Sequence, residues 1–149
     1  MLFRSRIQWA GVLKYANWQN IYCADEMLKQ QLGPVFAEDC KHNDLTTCEV
    51  AITGCEALVA RTGTIVLSAQ VAQGRTTSVY APVHICMAFS DQLVFDTKDA
   101  LSALKQKYTD QLPSLITFAT GPSRTADIEK TLVVGVHGPK EVYCFLIQR

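Results

Sequence analysis

Hydrophobic positions along the chain fall into blocks of two kinds, and their spacing predicts the elements. Between Glu49 and Ser68, Val50-Ala51-Ile52, Ala57-Leu58-Val59-Ala60 and Thr64-Ile65-Val66-Leu67 are apolar runs of strand length separated by glycines. Three strands meeting at tight turns follow. Ile21-Tyr22-Cys23, Val83 to Phe89, Leu93-Val94-Phe95, Leu115 to Ala119 and Val142 to Ile147 are further strand-length runs. Helical spacing governs the other blocks. Asp25 to Leu32 reads as a short helix capped by Asp25, with Leu28 and Leu32 on one face and Gly33-Pro34 as a stop. Lys98 to Tyr108 reads as a longer one, with Thr97 as cap and Leu101, Leu104 and Tyr108 aligned. A third helix is predicted from about Arg124 to Thr131. The aromatic and apolar residues from Met1 to Asn17 show no clean period and fit a helix without an identified packing partner.

Near-continuous apolar strands alternating with helices indicate an α/β fold in three layers, a largely parallel sheet with helices on both faces. The Glu49 to Ser68 block adds antiparallel pairing. No repeat, low-complexity tract or Pro/Ser linker interrupts the chain, so residues 1–149 are expected to form a single domain, with 1–20 left unassigned.

Composition narrows the function classes. In 149 residues, 48% are apolar, and 14 Lys+Arg balance 14 Asp+Glu. That composition allows a conventional core and disfavours disorder. With no cationic block, nucleic acid is not the expected partner. No apolar run approaches the ~20 residues of a membrane span. Ile7 to Lys14 is too short and mixed for a signal peptide, so the cytoplasm is the expected location. Six cysteines are present, but the closest pair, Cys48 and Cys55, is seven positions apart. Zinc ribbons, thioredoxin motifs and ferredoxin runs need two thiolates from one tight loop. The cysteines are therefore expected to be reduced, mostly buried small hydrophobes, and no metal site is expected.

Candidate chemistry concentrates in two glycine turns. Thr120-Gly121-Pro122-Ser123-Arg124-Thr125 lies between an apolar strand and the predicted third helix. Unpaired N–H groups at a helix N-terminus favour an anion, with Gly121, Ser123, Arg124 and Thr125 as its candidate ligands. A capping role for Ser123 or Thr125, with Arg124 paired to Asp127, explains the same pattern. Thr62, Gly63 and Thr64 form the second turn, further candidate ligands, although alone this turn reads as an ordinary hairpin. Glu56 is a candidate nucleophile or base near a turn mouth, or else a solvated acid. His137, before Gly138-Pro139, could be aimed into a strand-end cleft. His84, inside an apolar strand, reads as a hydrogen-bonded core residue, and His42 as a loop residue. The common nucleotide-binding loops are absent.

Taken together, Val50-Ala51-Ile52-Thr53-Gly54, Ala60-Arg61-Thr62-Gly63-Thr64-Ile65-Val66-Leu67, Pro82-Val83-His84-Ile85, Thr120-Gly121-Pro122-Ser123-Arg124-Thr125-Ala126-Asp127-Ile128-Glu129 and Gly135-Val136-His137-Gly138-Pro139 resemble the lactate-utilisation (LUD) domain family, in its LutC/YkgG branch. The resemblance runs from about Ile21 to Ile147. It implies a fold like that of the NagB, ribose-5-phosphate isomerase (RpiA) and CoA-transferase superfamily. It also implies a bacterial, clusterless component of a three-part system that oxidises L-lactate to pyruvate, whose other two members carry iron–sulfur clusters. The missing cluster-type cysteine spacing agrees with that role. Arg61 departs from the family pattern, which places a glutamate there, and the chain is short at its N-terminus beside longer relatives.

Two functions are therefore expected. One is a supporting subunit of the lactate-oxidising system, without a cofactor of its own and bound to iron–sulfur partners. The other is a stand-alone enzyme or sensor that holds a phosphorylated or carboxylated metabolite at the Thr120 to Thr125 loop, with Glu56 and His137 near the reacting carbon. A homodimer is the assembly expected by default.

Overall fold

The computed structural model describes residues 17–71, 76–125, 133–134 and 137–148. The helix expected within Met1 to Asn17 lies outside the described residues, apart from Asn17. Four strands, β1 (Ile21–Tyr22), β2 (Val50–Thr53), β5 (Val83–Phe89) and β10 (Glu141–Ile147), form a wholly parallel sheet in the order β1-β2-β5-β10. A second sheet, in the order β6-β3-β4-β7, joins β3 (Ala57–Val59), β4 (Thr64–Ser68), β6 (Leu93–Val94) and β7 (Ile116–Ala119). It is mixed: β3 and β4 are an antiparallel hairpin, β7 runs antiparallel to β4, and β6 runs parallel to β3.

Side-chain alternation along the strands shows how the layers stack, because successive residues point to opposite faces. Val83, Ile85, Met87 and Phe89 of β5 share one core with Ile21, Val50, Ile52 and Phe145. Leu28 and Phe36, from helices α1 (Glu26–Leu32) and α2 (Pro34–Asp39), cover that face. The alternate residues Cys86 and Ala88 pack instead against Leu58, Ile65 and Leu67 of the second sheet. At the β2 end of this same face, Ala51 meets Ala81, just after α3 (Thr77–Tyr80). The outer face of the second sheet, Ala57, Val59 and Val66, receives Ala100 and Leu104 of α4 (Thr97–Lys107). The α/β class and the parallel sheet are as the sequence predicts. Helices do stand on both outer sides, but a second sheet lies between the parallel sheet and α4.

That interposed sheet revises the Glu49 to Ser68 block. Its first strand is not part of a three-strand meander: β2 belongs to the parallel sheet, and the chain changes sheets across Gly54-Cys55-Glu56. Gly54 is confined there, since a Cβ would stand 3.3 Å from Val71 Cγ1 and 3.7 Å from Asp25 Oδ2.

Helix ends follow their local chemistry. Asp25 Oδ1 accepts the Leu28 N–H at 2.9 Å, which starts α1. Gly33, at φ 92°, ends α1, and Pro34 then opens α2, so the expected stop is also a restart. The cap of α4 is Asp96, not Thr97. Asp96 accepts the Thr97 N–H at 2.6 Å, and Asp99 Oδ2 accepts the Asp96 N–H at 3.0 Å, a reciprocal capping box that leaves Thr97 as the first helical residue. Leu104 and Ala100 are the buried residues of α4, while Leu101 is 39% exposed.

The third predicted helix is corrected at its start. Arg124–Thr125 forms a strand, β8, paired antiparallel with β9 (Val133–Val134), with Arg124 opposite Val134 and Thr125 opposite Val133. β-Branched residues on both sides suit a ribbon, which commits backbone groups that a helix would use differently. Residues 126–132 lie outside the described residues.

Because Ile85 is fully buried at the centre of the parallel sheet, Ile85→Ala should lower the unfolding free energy by about 2–5 kcal/mol in a denaturant titration. Removing the partly exposed capping carboxylate with Asp96→Ala should cost only about 0.5–2 kcal/mol. An Asp96 variant that proves the more damaging would contradict this ordering.

Candidate functional site

The two glycine turns singled out in the sequence lie side by side. β4 and β7 are antiparallel with Ile65 opposite Ala119, so Thr64 at the start of β4 faces Thr120 just beyond β7. Their hydroxyls hydrogen-bond at 2.8 Å, and Thr64 Oγ1 also bonds Thr62 Oγ1 at 2.6 Å. Thr62, Thr64 and Thr120 thus form a chain of three hydroxyls across the two turns. Three hydroxyl hydrogens serve two mutual bonds, which leaves one hydrogen to donate outward. Thr64 in the middle is buried, whereas Thr62 and Thr120 are exposed.

Glycine is needed at both turns for backbone reasons. Gly63 has φ 66° and Gly121 φ 86°, the left-handed region that L side chains avoid, and a Cβ at either would meet nothing within 4 Å. Space therefore opens in front of both turns.

A third segment closes one side of this mouth. The Ser123 N–H donates to the Pro139 carbonyl at 2.9 Å. A Cβ at Gly138 would stand only 3.0 Å from Ser123 Cβ, so this close approach depends on glycine. Thr62-Gly63-Thr64, Thr120-Gly121, Ser123 and Gly138-Pro139 consequently form one polar mouth. Arg124 is exposed on β8, and His137 is exposed beside Gly138.

Among the described residues, Ser123, Arg124 and Thr125 do not form the expected helix start. The Ser123 N–H is already spent on Pro139, and Arg124 and Thr125 belong to the β8–β9 ribbon. What remains is a set of hydroxyls and two open glycines, with Arg124 next in sequence after Ser123. Arg61, where the family pattern has an acid, is turned to Asp96 Oδ2 at 2.6 Å, tying the hairpin turn to the cap of α4. The guanidinium, followed by the Thr97 N–H, holds the Asp96 carboxyl below its usual pKa.

Glu56 is a correction to the expected site. Its carboxylate is 1% exposed and accepts hydrogen bonds from Ser68 Oγ at 2.6 Å, Tyr108 OH at 2.7 Å and Lys107 Nζ at 2.8 Å. It anchors the end of α4 to the far end of the hairpin. Ser68 and Thr64 are four residues apart on β4, about 13 Å at strand rise. Glu56 therefore does not reach the mouth, and its hydrogen-bonding capacity is used where it sits. Burial pushes its pKa up, but the bonds from Lys107, Ser68 and Tyr108 outweigh that and hold it below the usual carboxylate value. This arrangement leaves no local trace in residue order, because its partners lie 12, 51 and 52 positions away.

Gln92 was also not singled out by spacing. Its amide donates to the Cys55 carbonyl at 2.5 Å and accepts the Phe89 N–H at 2.8 Å, bridging the chain's change of sheet to the end of β5.

Two of the three histidines, His42 and His84, take structural places. His42 Nε2 lies 2.9 Å from Thr47 Oγ1 in a loop. His84 is 2% exposed between the layers, with Nε2 2.9 Å from Thr53 Oγ1. All six cysteines are free of disulfide bonds, five of them buried and Cys144 partly so. Among the described residues, no group of three or more His, Cys, Asp or Glu could hold a metal ion, and no helix is long and apolar enough to cross a membrane.

Two face-packed sheets flanked by helices, with a threonine–glycine mouth where two strand turns meet, define a layered α/β protein with a polar patch at its strand ends. The chain matches the LUD domain family over residues 13–147 and belongs to that family. It is 33% identical over 107 residues to lactate utilization protein C of Deinococcus radiodurans, covering 71% of this chain and 50% of that protein. The protein of the same name from Bacillus velezensis is 39% identical over 100 residues, covering 66% and 42%. The matches thus span about half the length of these relatives or less. A crystal structure of a DUF162 family protein from Deinococcus radiodurans superposes with TM-score 0.67 at 21% identity, covering 98% of this chain and 87% of that one, and shares the fold.

Burial pushes the His84 pKa down from 6.5 to about 4. The folded chain keeps the imidazole neutral while the unfolded chain binds a proton below pH 6.5, so stability should fall as pH drops from 6.5 to 4. This one group accounts for about 3 kcal/mol over that window. His84→Gln should remove that part of the slope in denaturant titrations, and parallel curves for variant and wild type would refute the assignment.

Proposed function

We propose that this chain is a supporting component of a bacterial system that oxidises L-lactate to pyruvate, working in the cytoplasm with iron–sulfur proteins as its partners. The observation that carries this reading is the family membership, together with relatives named lactate utilization protein C at 33% and 39% identity. The cysteine spacing supports a component without a cluster of its own, because no two cysteines lie closer than seven positions. In this role the electrons pass through the partners, and this chain contributes a docking or positioning surface. Glu56 is already engaged with Lys107, Ser68 and Tyr108, which favours a supporting role over an independent catalyst.

The joined turns favour a second activity within or apart from that system: binding of a small carboxylated or phosphorylated metabolite. The outward hydroxyl of the Thr62–Thr64–Thr120 chain and the Ser123 hydroxyl would donate to its oxygens, with Gly63 and Gly121 leaving room for close approach. Arg124 on β8 and His137 beside Gly138 would complete the set. An anionic oxygen is the group that such donors recognise best.

Tagged protein recovered from its native host grown on L-lactate should bring down iron-containing proteins in stoichiometric amount. Recovery of the chain alone and free of iron would sink the supporting-subunit reading. For the second activity, calorimetry should detect L-lactate or inorganic phosphate binding, and Arg124→Ala should weaken it by about 1.5–3 kcal/mol, the range for a charged hydrogen bond. Absence of heat for both ligands with the wild type would remove that reading.

A further inference from the structure

Three thiols unconnected with the polar mouth meet between the two sheets. β5 and β10 are parallel neighbours with Cys86 opposite Cys144, and the two share one packed cluster with Cys55. Adjacent strands lie about 4.8 Å apart, inside the Cα separation of roughly 4.4–6.8 Å that a disulfide spans. As register partners, the two side chains also leave the sheet on the same face. Their exposures differ. Cys86 is fully buried, whereas Cys144, on a strand paired on one side only among the described residues, is partly open.

We propose that Cys144 and Cys86 form an oxidation site for hydroperoxides, with Cys144 as the attacking sulfur and Cys86 as the resolving one. The Cys144 thiolate attacks one oxygen of the hydroperoxide. A sulfur–oxygen bond forms, the oxygen–oxygen bond breaks, and the departing oxygen takes up a proton and leaves as water or an alcohol. Cys144 is then a sulfenic acid. The Cys86 sulfur attacks it, the sulfur–sulfur bond forms, and the hydroxyl leaves as water with the Cys86 proton. Two thiols are oxidised by two electrons in all, and the hydroperoxide is reduced by the same two.

The local hydrogen bonding suits these roles. A hydrogen bond from the Cys86 thiol stabilises the Cys144 thiolate and pulls its pKa down against the effect of burial. Cys86 is held protonated by the bond it donates to Cys144, by the neighbouring Cys55 and by burial. Cys55 is occupied elsewhere, its thiol directed at Gln92 Oε1 at 3.7 Å. Cys23 and Cys40, buried in the core under α1 and α2, are pushed the other way, Cys23 to about 11, chiefly by burial. They serve as internal controls.

The test is a titration of the full chain with hydrogen peroxide, read by intact mass and peptide mapping under non-reducing conditions. The wild type should lose two hydrogens and yield a peptide linking Cys86 to Cys144, reversed by a phosphine. Cys86→Ala should instead leave Cys144 as a sulfenic acid that a dione probe traps, and Cys144→Ala should abolish both products. Native thiol labelling supplies a readout that needs no variant: Cys144 should react at least about tenfold faster than Cys86, Cys23 or Cys40. Oxidation confined to Cys23, Cys40 or Cys48, or labelling of Cys144 no faster than of the buried thiols, would overturn the proposal.

Discussion

Everything in this fold is arranged around the two-sided burial of β5. All seven residues from Val83 to Phe89 are buried, so this strand has no solvent face on which to place a polar side chain. Its odd-numbered residues look to the helices and its even-numbered ones to the second sheet. A strand so placed must be apolar along its whole length or satisfy its polar groups internally. Its one polar side chain, His84, meets that condition through Thr53. The parallel registers with β2 and β10 then set the position of the other strands.

The second sheet inherits its position from the first and carries the candidate site at one end. The β3–β4 hairpin packs Leu58, Ile65 and Leu67 onto the parallel sheet. Its two ends are then fixed by different means. Buried Glu56 clamps one end to α4, and Arg61 ties the other to the Asp96 cap of the same helix. With the hairpin held at both ends, the Thr62–Gly63–Thr64 turn is presented rigidly to Thr120 and Gly121. Thus the buried carboxylate of Glu56 serves placement, and among the described residues the polar mouth itself is built from hydroxyls and glycines.

Much of the fold could be read from residue order because strands buried on both faces write themselves as continuous apolar runs. Val83 to Phe89 matched β5 at both ends, and Val142 to Ile147 fell one residue short of β10. The extent of α4 was legible from its period, but its cap was not, since Asp96 and Thr97 are both good capping residues and only the reciprocal bond with Asp99 decides between them. Sheet membership was not legible. Val50-Ala51-Ile52 and Ala57-Leu58-Val59 look alike as runs, yet packing places them in different sheets. Arg124-Thr125 looks like a helix entrance because small, capping and acidic residues follow it, and strand pairing with Val133–Val134 prevails. Of the candidate site, the two glycine turns were visible as separate motifs. Their meeting depends on the pairing of β4 with β7, and the sequestration of Glu56 on partners over 50 positions away, neither of which leaves a local trace.

Lactate consumption by the native host tests the account most directly. A strain lacking this chain should fail to consume L-lactate, and should recover with the wild-type chain but not with a folded Thr64→Val variant, which breaks the hydroxyl chain at its centre. Consumption at the wild-type rate without the chain would contradict the account.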